Sequence, residues 1–521
     1  MFRSAVERAP SRDAVRYFDQ SLSYRRLDRL SDSFAVWLLR KGIEKGDRVA
    51  IVLQNVPQFL IVAIAAWKMG AVATPINPMN RQRELALLFS DCKPKVIVCH
   101  ASSGAKLVAE VLNAGSDFSD VTLLTTSALS FQSRNDERVL ATENSAPPSG
   151  AGDLLVAIKV IGNQSPPPVE ISPDDPAMIV YTSGTSGVPK GAILTHGNIA
   201  FNAQVYRDWL GLREGGAILG LAPLFHITGL IGQIAAAFLV AAPLILTFRF
   251  RADVMIDSIV EHQPEFAIGA ITAFIALANA SGARREDFAS LRAVYSGGAA
   301  IPPAFVEEFQ TKFGHYIHAA YGLTETTSPS HFVPLGCPAP IDPQSGCLSI
   351  GVPVFNSEAK IVDNDGRELA VRGLGEILIR GPMVIPGYWN KPKETVEVIA
   401  DGWLRTGDIG FMDEKGWFYL VDRKKDMINA AGFKVWPREI EDVLYTHPAV
   451  REAAVVGVPD SYRGETVKAV VSLRLGESAT VEELAAFCKE RMAAYKYPRI
   501  IEIVEELPKT VTGKILRRAL R

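Results

Sequence analysis

Residues 181–191 read YTSGTSGVPKG, a stretch rich in glycine and hydroxyl side chains that contains one lysine. An apolar run at residues 177–180 precedes it, and a short apolar strand with a helix-start signal at 195–198 follows. Glycine lets backbone N–H groups approach an anion without obstruction, and the hydroxyls and the lysine add further donors. The spacing is not that of a Walker A loop. Taken alone, the stretch indicates either a phosphate-binding loop or an ordinary glycine/serine turn.

The composition favours a soluble globular enzyme built from about three to four subdomains. The chain has 521 residues, of which 48% are hydrophobic and 21% charged. A formal net charge of −2 argues against a dedicated nucleic-acid or anionic-membrane role. The five cysteines are scattered without a CxxC pair, which favours reduced thiols, a cytoplasmic location and no structural zinc. The N-terminus lacks the apolar region of a secretory signal.

Residues 217–248 contain no Asp, Glu, Lys or Arg and therefore need a membrane test. A spanning helix requires about 20 apolar residues. Two prolines, a histidine, a glutamine and glycines interrupt this segment. We therefore expect a strand, a loop, a helix and a second strand, all buried between layers.

Short apolar runs alternate with amphipathic stretches along most of the chain, which predicts α/β layers with largely parallel sheets. The predicted strands are 48–53, 72–76, 217–221, 243–247, 266–269, 293–296 and 316–319, and the predicted helices are 57–68, 252–262 and 304–313. Residues 143–152 and 162–168 are predicted to be exposed linkers because they are rich in Pro, Gly and Ser.

The pattern changes after residue 337. Residues 337–421 are rich in glycine and proline with short strands, which predicts a small β-rich, barrel-like subdomain. The last hundred residues have the size of a small α+β domain. Its predicted elements are helices at 438–447 and 480–491 and strands at 453–458 and 467–473.

Four more motifs follow the opening loop in a fixed order. They are YGLTE at 321–325, TGD at 406–408, DRKKD at 422–426 with AAGFKVWPREIE at 430–441, and PKTVTGKILR at 508–517. With these five motifs, from about residue 22 to the C-terminus, the chain resembles the adenylate-forming superfamily, and most of all its fatty-acyl and medium-chain acyl-CoA ligases. The resemblance implies a large N-terminal AMP-binding domain, 1–421, of two layered α/β subdomains plus the β-rich one. It also implies a small mobile C-terminal domain, 422–521, hinged at Asp422.

The same resemblance implies a two-step reaction that uses ATP, Mg²⁺ and coenzyme A. A carboxylate attacks the α-phosphate of ATP, which gives an acyl-adenylate and pyrophosphate. The coenzyme A thiol then displaces AMP. Catalysis would rest on positioning and charge stabilisation. A homodimer and, at most, peripheral membrane contact are compatible with this interpretation, and no nucleic-acid partner is expected.

Nucleotide-binding roles follow from the resemblance, position by position. The phosphate-gripping loop would comprise Thr182, Ser183, Gly184, Thr185, Ser186 and Lys190. Tyr321 matches the aromatic residue that stacks on adenine, and Thr324 matches a contact near the α-phosphate. Asp408 matches the acceptor of the ribose hydroxyls, with Arg423 nearby. The remaining positions assigned to nucleotide or coenzyme A binding are Gly298, Ala299, Gly322 and, at the pantetheine tunnel, Gly432.

Four residues are predicted to act in the chemistry itself. Lys514 matches the lysine that bridges the carboxylate and the α-phosphate during adenylation. Glu325 matches the Mg²⁺ ligand, and Thr182 is a second candidate Mg²⁺ ligand. His226 is a candidate gate or carboxylate contact, although a core or helix-start histidine is the alternative.

Two positions depart from the family pattern. Ala319 stands where many relatives carry a polar residue two before the tyrosine, so adenine recognition would rest more on backbone groups and Tyr321. Ala431 stands where some coenzyme A ligases carry a lysine before the tunnel glycine, which leaves a coenzyme A contact there in doubt.

The resemblance implies that the acid pocket is lined by three segments, which read here HITGLIG at 226–232, ITAFIA at 271–276 and SGGAA at 296–300; they are small or apolar and carry no Arg or Lys. A second substrate carboxylate would need a cation there, because an unpaired buried charge is costly. An apolar acid, a medium- or long-chain fatty acid, is therefore expected. The alternatives are an aryl-CoA ligase of benzoate or cinnamate type and a small branched-acid CoA ligase. A peptide-synthetase domain or a catalytically silent scaffold fits less well.

Overall fold

The computed structural model describes every residue except 102, 116–117, 142–147, 183–188, 424–425, 431–432, 461–463, 494 and 511–512. Its strands form three sheets. They are β1 Asp13–Tyr17, β2 Gln20–Ser23, β3 Arg48–Val52, β4 Val72–Pro75, β5 Val96–His100, β6 Thr122–Thr126, β7 Gly152–Asp153, β8 Pro176–Thr182, β9 Lys190–Thr195, β10 Ile218–Leu219, β11 Leu244–Leu246, β12 Phe266–Gly269, β13 Ala293–Gly297, β14 His318–Leu323, β15 Ser328–Phe332, β16 Ser349–Pro353, β17 Glu358–Val362, β18 Gly375–Arg380, β19 Ile399–Ala400, β20 Trp403–Met412, β21 Phe418–Arg423, β22 Ile428–Ala430, β23 Phe433–Val435, β24 Val450–Asp460, β25 Gly464–Leu473 and β26 Ile500–Val504.

The α-helices alternate with these strands as the hydrophobic pattern predicts. They are α1 Phe2–Arg8, α2 Tyr24–Arg40, α3 Pro57–Lys68, α4 Gln82–Cys92, α5 Ser103–Ala114, α6 Glu137–Leu140, α7 Leu154–Ile161, α8 His196–Leu210, α9 Ala236–Leu239, α10 Ala252–His262, α11 Ile271–Ala278, α12 Pro303–Phe313, α13 Pro392–Val398, α14 Pro437–Tyr445 and α15 Val481–Arg491. The predicted helices 57–68 and 252–262 coincide with α3 and α10, and 304–313 begins one residue late. Pro57 and Pro303 start their helices because the first turn needs no proline N–H.

The first sheet has the order β7-β6-β5-β3-β4-β8-β9. Its strands are parallel except for the β8/β9 hairpin. The sheet is covered on both faces, so β5 is buried along its whole length and α3 is buried over most of its own. The hairpin carries both flanks of the 181–191 stretch to the edge of this sheet.

The second sheet has a parallel half, β1-β11-β10-β12-β13-β14, and an antiparallel half that continues through β15, β16, β21, β20, β18 and β17. The antiparallel strands from β16 onward are the β-rich region predicted at 337–421. They are hydrogen-bonded to the parallel half through β15 and β16. The predicted architecture of two α/β layers plus a β-rich subdomain is therefore confirmed.

The uncharged segment 217–248 folds as β10, a loop, a helix and β11, as predicted. Most of this helix differs from the expected α-helix, because Gly229–Ala235 is a π-helix that continues into the α-helical Ala236–Leu239. The π-helix is completely buried. Within the part of the chain that the structure describes, no helix combines the length and apolarity needed to cross a membrane.

The C-terminal residues form a separate small sheet, β23-β22-β25-β24, with β26 added parallel to β25. Helices α14 and α15 pack on it around Val455, Ala469, Leu484 and Cys488. The capping signal predicted at Thr480 is present, since its hydroxyl accepts from the Glu483 N–H at 3.1 Å. This α+β unit agrees with the fold expected for the end of the chain.

Candidate active site

A cavity of about 1140 Å³ opens between the two large sheets and the C-terminal unit. It is lined by every predicted site residue that the structure describes, namely Thr182, Lys190, His226, Gly298, Ala299, Tyr321, Gly322, Thr324, Glu325, Asp408, Arg423 and Lys514. Ser183, Gly184, Thr185, Ser186 and Gly432 lie outside the described residues. The five motifs, spread from residue 181 to residue 517, thus meet at one cavity.

The β8/β9 hairpin holds the two described ends of the glycine-rich stretch. Thr182 pairs with Lys190 across it. Residues 387–389 run beside β9, where the Trp389 N–H donates to the Gly191 carbonyl at 2.7 Å. This places the Tyr388 ring 5.2 Å from the Lys190 Nζ, which lies over the ring face. Lys190 is therefore held at the cavity by strand pairing and by an aromatic surface.

Glu325 follows β14 on the short 3₁₀ turn Thr324–Thr326. The Tyr388 hydroxyl donates to its Oε1 at 2.6 Å. Burial and the Glu325 carboxylate raise the pKa of Tyr388 above its ordinary range, so the phenol stays protonated as a donor. Gly322 makes the turn feasible, because a Cβ at this position would lie 1.9 Å from the Ser328 carbonyl oxygen.

Tyr321, Asp408 and Arg423 form a connected polar group. The Tyr321 hydroxyl donates to Asp408 Oδ2 at 2.8 Å, and Arg423 Nε lies 3.4 Å from Asp408 Oδ1. Asp408 and Arg423 are cross-strand partners in β20 and β21, which fixes this geometry. Burial raises the pKa of Asp408 above the ordinary carboxyl range, and Arg423 opposes that shift. The prediction that Arg423 lies near Asp408 agrees with this geometry.

Lys514 enters the cavity on a loop of the C-terminal unit. The Thr272 hydroxyl, on α11, donates to the Gly513 carbonyl at 2.7 Å and ties this loop to the second sheet. A Cβ on Gly298, which has φ +82°, would lie 2.8 Å from Lys514 Cε. Burial and Arg423 lower the pKa of Lys514 to about 8, while Asp408 and Glu325 act to raise it.

His226 lines the cavity between its sequence neighbours Phe225 and Ile227, which also line it. Its Nδ1 accepts from the Thr228 N–H at 3.3 Å. Burial, with a smaller contribution from the Lys514 charge, lowers the pKa of His226 to about 3. The imidazole is therefore neutral near pH 7 and can serve as a hydrogen-bond partner but not as a cation.

Apolar side chains also line the cavity. Phe225, Ile227, Ile268 and Ile271 are buried residues of its lining. Tyr206 and Ser328 line it as well, and their hydroxyls are hydrogen-bonded to each other at 3.0 Å. Such side chains are suited to contact an uncharged, largely hydrocarbon group.

Sequence reasoning missed Tyr388, although it contacts both Glu325 and Lys190. A weak local signal is the PGYWN stretch at 386–390, an aromatic pair between turn residues. An aromatic pair in a loop without apolar periodicity indicates side chains that are available to line a site.

The oxygen-bearing side chains at the cavity can be compared with the ligands that Mg²⁺ usually binds. Among the residues that the structure describes, no group of three or more His, Cys, Asp or Glu side chains could hold a metal by itself. Mg²⁺ commonly binds one or two carboxylates together with substrate phosphates and waters. Glu325, a single carboxylate at the cavity wall, fits that mode, with Thr182 as a second oxygen at the same cavity.

Comparison with known proteins agrees with this geometry. Residues 2–389 match the family described as AMP-binding enzyme, and residues 439–514 match the AMP-binding enzyme C-terminal domain. The chain is 36% identical over 538 residues to a long-chain-fatty-acid–CoA ligase of Bacillus subtilis (strain 168), covering 99% of this chain and 92% of the relative.

Two solved structures are similar over the whole chain. An anthranilate CoA ligase in complex with anthranoyl-AMP has a TM-score of 0.88 at 26% identity and is covered to 95%. ATP-bound MatB from Rhodopseudomonas palustris has a TM-score of 0.86 at 26% identity and is covered to 97%. The chain therefore belongs to the family of AMP-binding enzymes, as an AMP-forming acyl-CoA ligase.

Proposed function

We propose that this ligase activates an apolar carboxylic acid, a medium- or long-chain fatty acid, as its coenzyme A thioester. The observation that carries the proposal is the mixed lining of one cavity. Glu325, Asp408 and Lys514 line it together with buried isoleucine and aromatic side chains, which include Phe225, Ile268 and Ile271. A hydrocarbon chain buried there would contribute about 0.8 kcal/mol per methylene group.

In the first half-reaction a carboxylate oxygen of the acid attacks the α-phosphorus of ATP. The bond from that phosphorus to the bridging oxygen breaks, and pyrophosphate leaves. We propose that the Lys514 ammonium lies between the incoming carboxylate and the α-phosphate and offsets the charge that develops there. Lys190 and the hydroxyls of the glycine-rich stretch would hold the departing phosphates.

Nucleoside binding is assigned to Tyr321 and Asp408. Asp408 lines the cavity and is already oriented by Tyr321 and Arg423, so accepting hydrogen bonds from ribose hydroxyls would carry little conformational cost. Glu325, held by Tyr388, is the proposed Mg²⁺ ligand, with Thr182 beside it. When bound, Mg²⁺ would neutralise phosphate charge.

In the second half-reaction the coenzyme A thiol attacks the acyl carbonyl carbon, loses its proton, and AMP leaves with the former carboxylate oxygen. We propose that the C-terminal unit rotates about Asp422 between the two steps, so that Lys514 withdraws. The assignment of Gly432 to the pantetheine tunnel stays a prediction.

The test is a panel of acids from acetate to palmitate, with benzoates and dicarboxylates, assayed by ATP–pyrophosphate exchange and by thioester formation with coenzyme A. We expect kcat/KM to rise by up to about 4-fold per methylene, the equivalent of 0.8 kcal/mol, through the medium-chain range. Dicarboxylates should react poorly. A maximum at acetate, or a preference for a dicarboxylate, would contradict the proposal.

An aryl acid is the second candidate, because the anthranilate CoA ligase structure covers the whole chain. The same panel separates the two acid classes. A flat dependence on alkyl length with a maximum among benzoates would favour the aryl acid. Tyr206→Phe removes only the cavity hydroxyl bonded to Ser328, so a comparison with the wild type tests whether that hydroxyl contributes to binding of acids with polar substituents.

A further inference from the structure

Asp422 is the centre of a buried charge network at the junction of the second sheet with the C-terminal unit. Its side chain is 5% exposed and lies near the end of β21. Asp422 Oδ1 accepts from the Arg423 N–H at 2.7 Å, and Oδ2 accepts from the Arg438 N–H of α14 at 3.2 Å. The carboxylate therefore contacts backbone groups of the strand and of the helix that follows the junction.

Arg517, four residues from the C-terminus, carries the guanidinium that contacts both Asp422 and Glu441. Its Nη2 donates to both carboxylate oxygens of Glu441 on α14, at 2.7 and 2.8 Å. Its Nη1 lies 3.3 Å from Asp422 Oδ1 and 3.6 Å from Asp426 Oδ2. One guanidinium thus joins the chain terminus, the first helix of the C-terminal unit and the junction strand. Such planar, two-pronged contacts are specific to arginine.

Most of the network is buried, so the loss of one contact leaves a charged partner in the interior. Asp422 and Glu441 are buried, and Arg438, also buried, donates from Nη1 to the Leu420 carbonyl of β21 at 2.6 Å. Burial raises the pKa of Glu441 above its ordinary range, and Arg517 opposes that shift. Removing one member of a buried group of this kind leaves the others as uncompensated charges.

Arg517 is only three residues after Lys514, and the intervening backbone is held by local hydrogen bonds. The Thr510 N–H donates to the Lys514 carbonyl at 2.6 Å, the Leu516 N–H donates to the Pro508 carbonyl at 2.8 Å, and the Arg517 N–H donates to the Ile515 carbonyl at 3.2 Å. Lys509 and Ile515 form an isolated antiparallel bridge. Arg517 and Lys514 are therefore part of one short hydrogen-bonded segment.

We propose that Arg517 is a positioning residue for adenylation, which holds the Lys514 loop in the cavity through its contact with Asp422. The proposal rests on the proposed function of Lys514 and on rotation about Asp422. Arg517 and Glu441 both belong to the C-terminal unit and would move together. The Arg517–Asp422 contact crosses the junction beside the two Arg438 contacts and, unlike them, comes from the segment that carries Lys514, so its loss affects the arrangement in which Lys514 occupies the cavity.

The first experiment separates the two half-reactions. Arg517→Gln should lower ATP–pyrophosphate exchange by about 10- to 100-fold, while thioester formation from prepared acyl-adenylate and coenzyme A changes by less than about 3-fold. Arg517→Lys keeps the charge and should recover part of the exchange rate. The matched control is Arg518→Gln, which removes an exposed neighbouring cation and should behave like the wild type. Thermal unfolding of each variant shows whether it is folded.

The second readout does not depend on activity. Amide hydrogen exchange of the peptide 508–517 should be faster in Arg517→Gln and unchanged in Arg518→Gln, because only the former loses its anchor. Equal loss in both half-reactions, or unchanged exchange in this peptide, would overturn the positioning role. A wild type that activates no acid would instead reject the proposed function, and the amide exchange would still decide the role of Arg517.

Discussion

The two lysines at the cavity, Lys190 and Lys514, are held in opposite ways. Lys190 begins β9, paired with Thr182 and lying over the Tyr388 ring, so the first sheet fixes it. Lys514 lies on a loop of the C-terminal unit, tied by the Thr272–Gly513 hydrogen bond and by the network around Arg517. One cation belongs to the wall of the cavity, whereas the other is brought in by a separate unit.

This difference predicts a role in phosphate binding for Lys190 and a role in the adenylation step for Lys514. Under the proposed function, a cation on a strand of the sheet would stabilise bound phosphate equally in the ground state and in the transition state. A cation delivered by a loop can act in one half-reaction and withdraw for the other. The larger energetic role in adenylation is therefore expected for Lys514, although Lys190 lies in the more conspicuous sequence.

Lys514→Ala is the strongest test of this contrast. We expect ATP–pyrophosphate exchange to fall by about 10²- to 10³-fold or more, the usual effect of removing a group that stabilises developing charge. Thioester formation from prepared acyl-adenylate should remain within a few-fold of wild type. Comparable losses in the two half-reactions would refute the assigned role, and Arg518→Ala, an exposed cation nearby, serves as the control.

Much of the fold is accessible from the sequence because it depends on local periodicity. Helices α3 and α10 and strand β12 agree with prediction residue for residue, and the capping signal at Thr480 is present. The π-helix Gly229–Ala235 was not predicted, since its i→i+5 pattern follows from packing inside a buried layer rather than from the apolar sequence itself.

The candidate site was also only partly predictable from the sequence. Most of its residues could be proposed because they lie in short motifs that occur in a fixed order. The contacts that orient them were not accessible, because they join distant positions. Tyr388 and Glu325 are 63 residues apart, and Arg517 and Asp422 are 95 apart. Nothing in the local pattern around Arg517 distinguishes it from Arg518, and only the fold shows that one is anchored and the other exposed.

The pH dependence of adenylation tests whether the charge of Lys514 is required. Burial lowers the pKa of Lys514 to about 8, so its ammonium is present below this pH and is lost above it. If the cation is required, kcat/KM for pyrophosphate exchange should fall up to about 10-fold per pH unit above about 8, since kcat/KM reports the free enzyme. Measuring exchange without coenzyme A excludes titration of its thiol.

Lys514→Arg provides the control for that profile. A guanidinium stays charged across the accessible range, so the decline above pH 8 should disappear or shift upward even if the absolute rate is lower. His226, with a pKa of about 3, does not titrate in this window. A wild-type profile that is flat from pH 7 to 10 would remove Lys514 as the titrating cation.

Lys190→Ala should have the smallest effect, because this lysine is partly exposed and lies on strand β9 rather than on the loop of the C-terminal unit. We expect KM for ATP to rise about 5-fold, which corresponds to about 1 kcal/mol, the upper end for an exposed charge pair. The kcat of adenylation should change little, since a uniform binding interaction affects KM rather than kcat. Lys190→Arg, which keeps the charge over the Tyr388 ring, should restore KM. A loss of kcat equal to that of Lys514→Ala would mean that both cations act in the transition state, and the distinction between wall and loop would then fail.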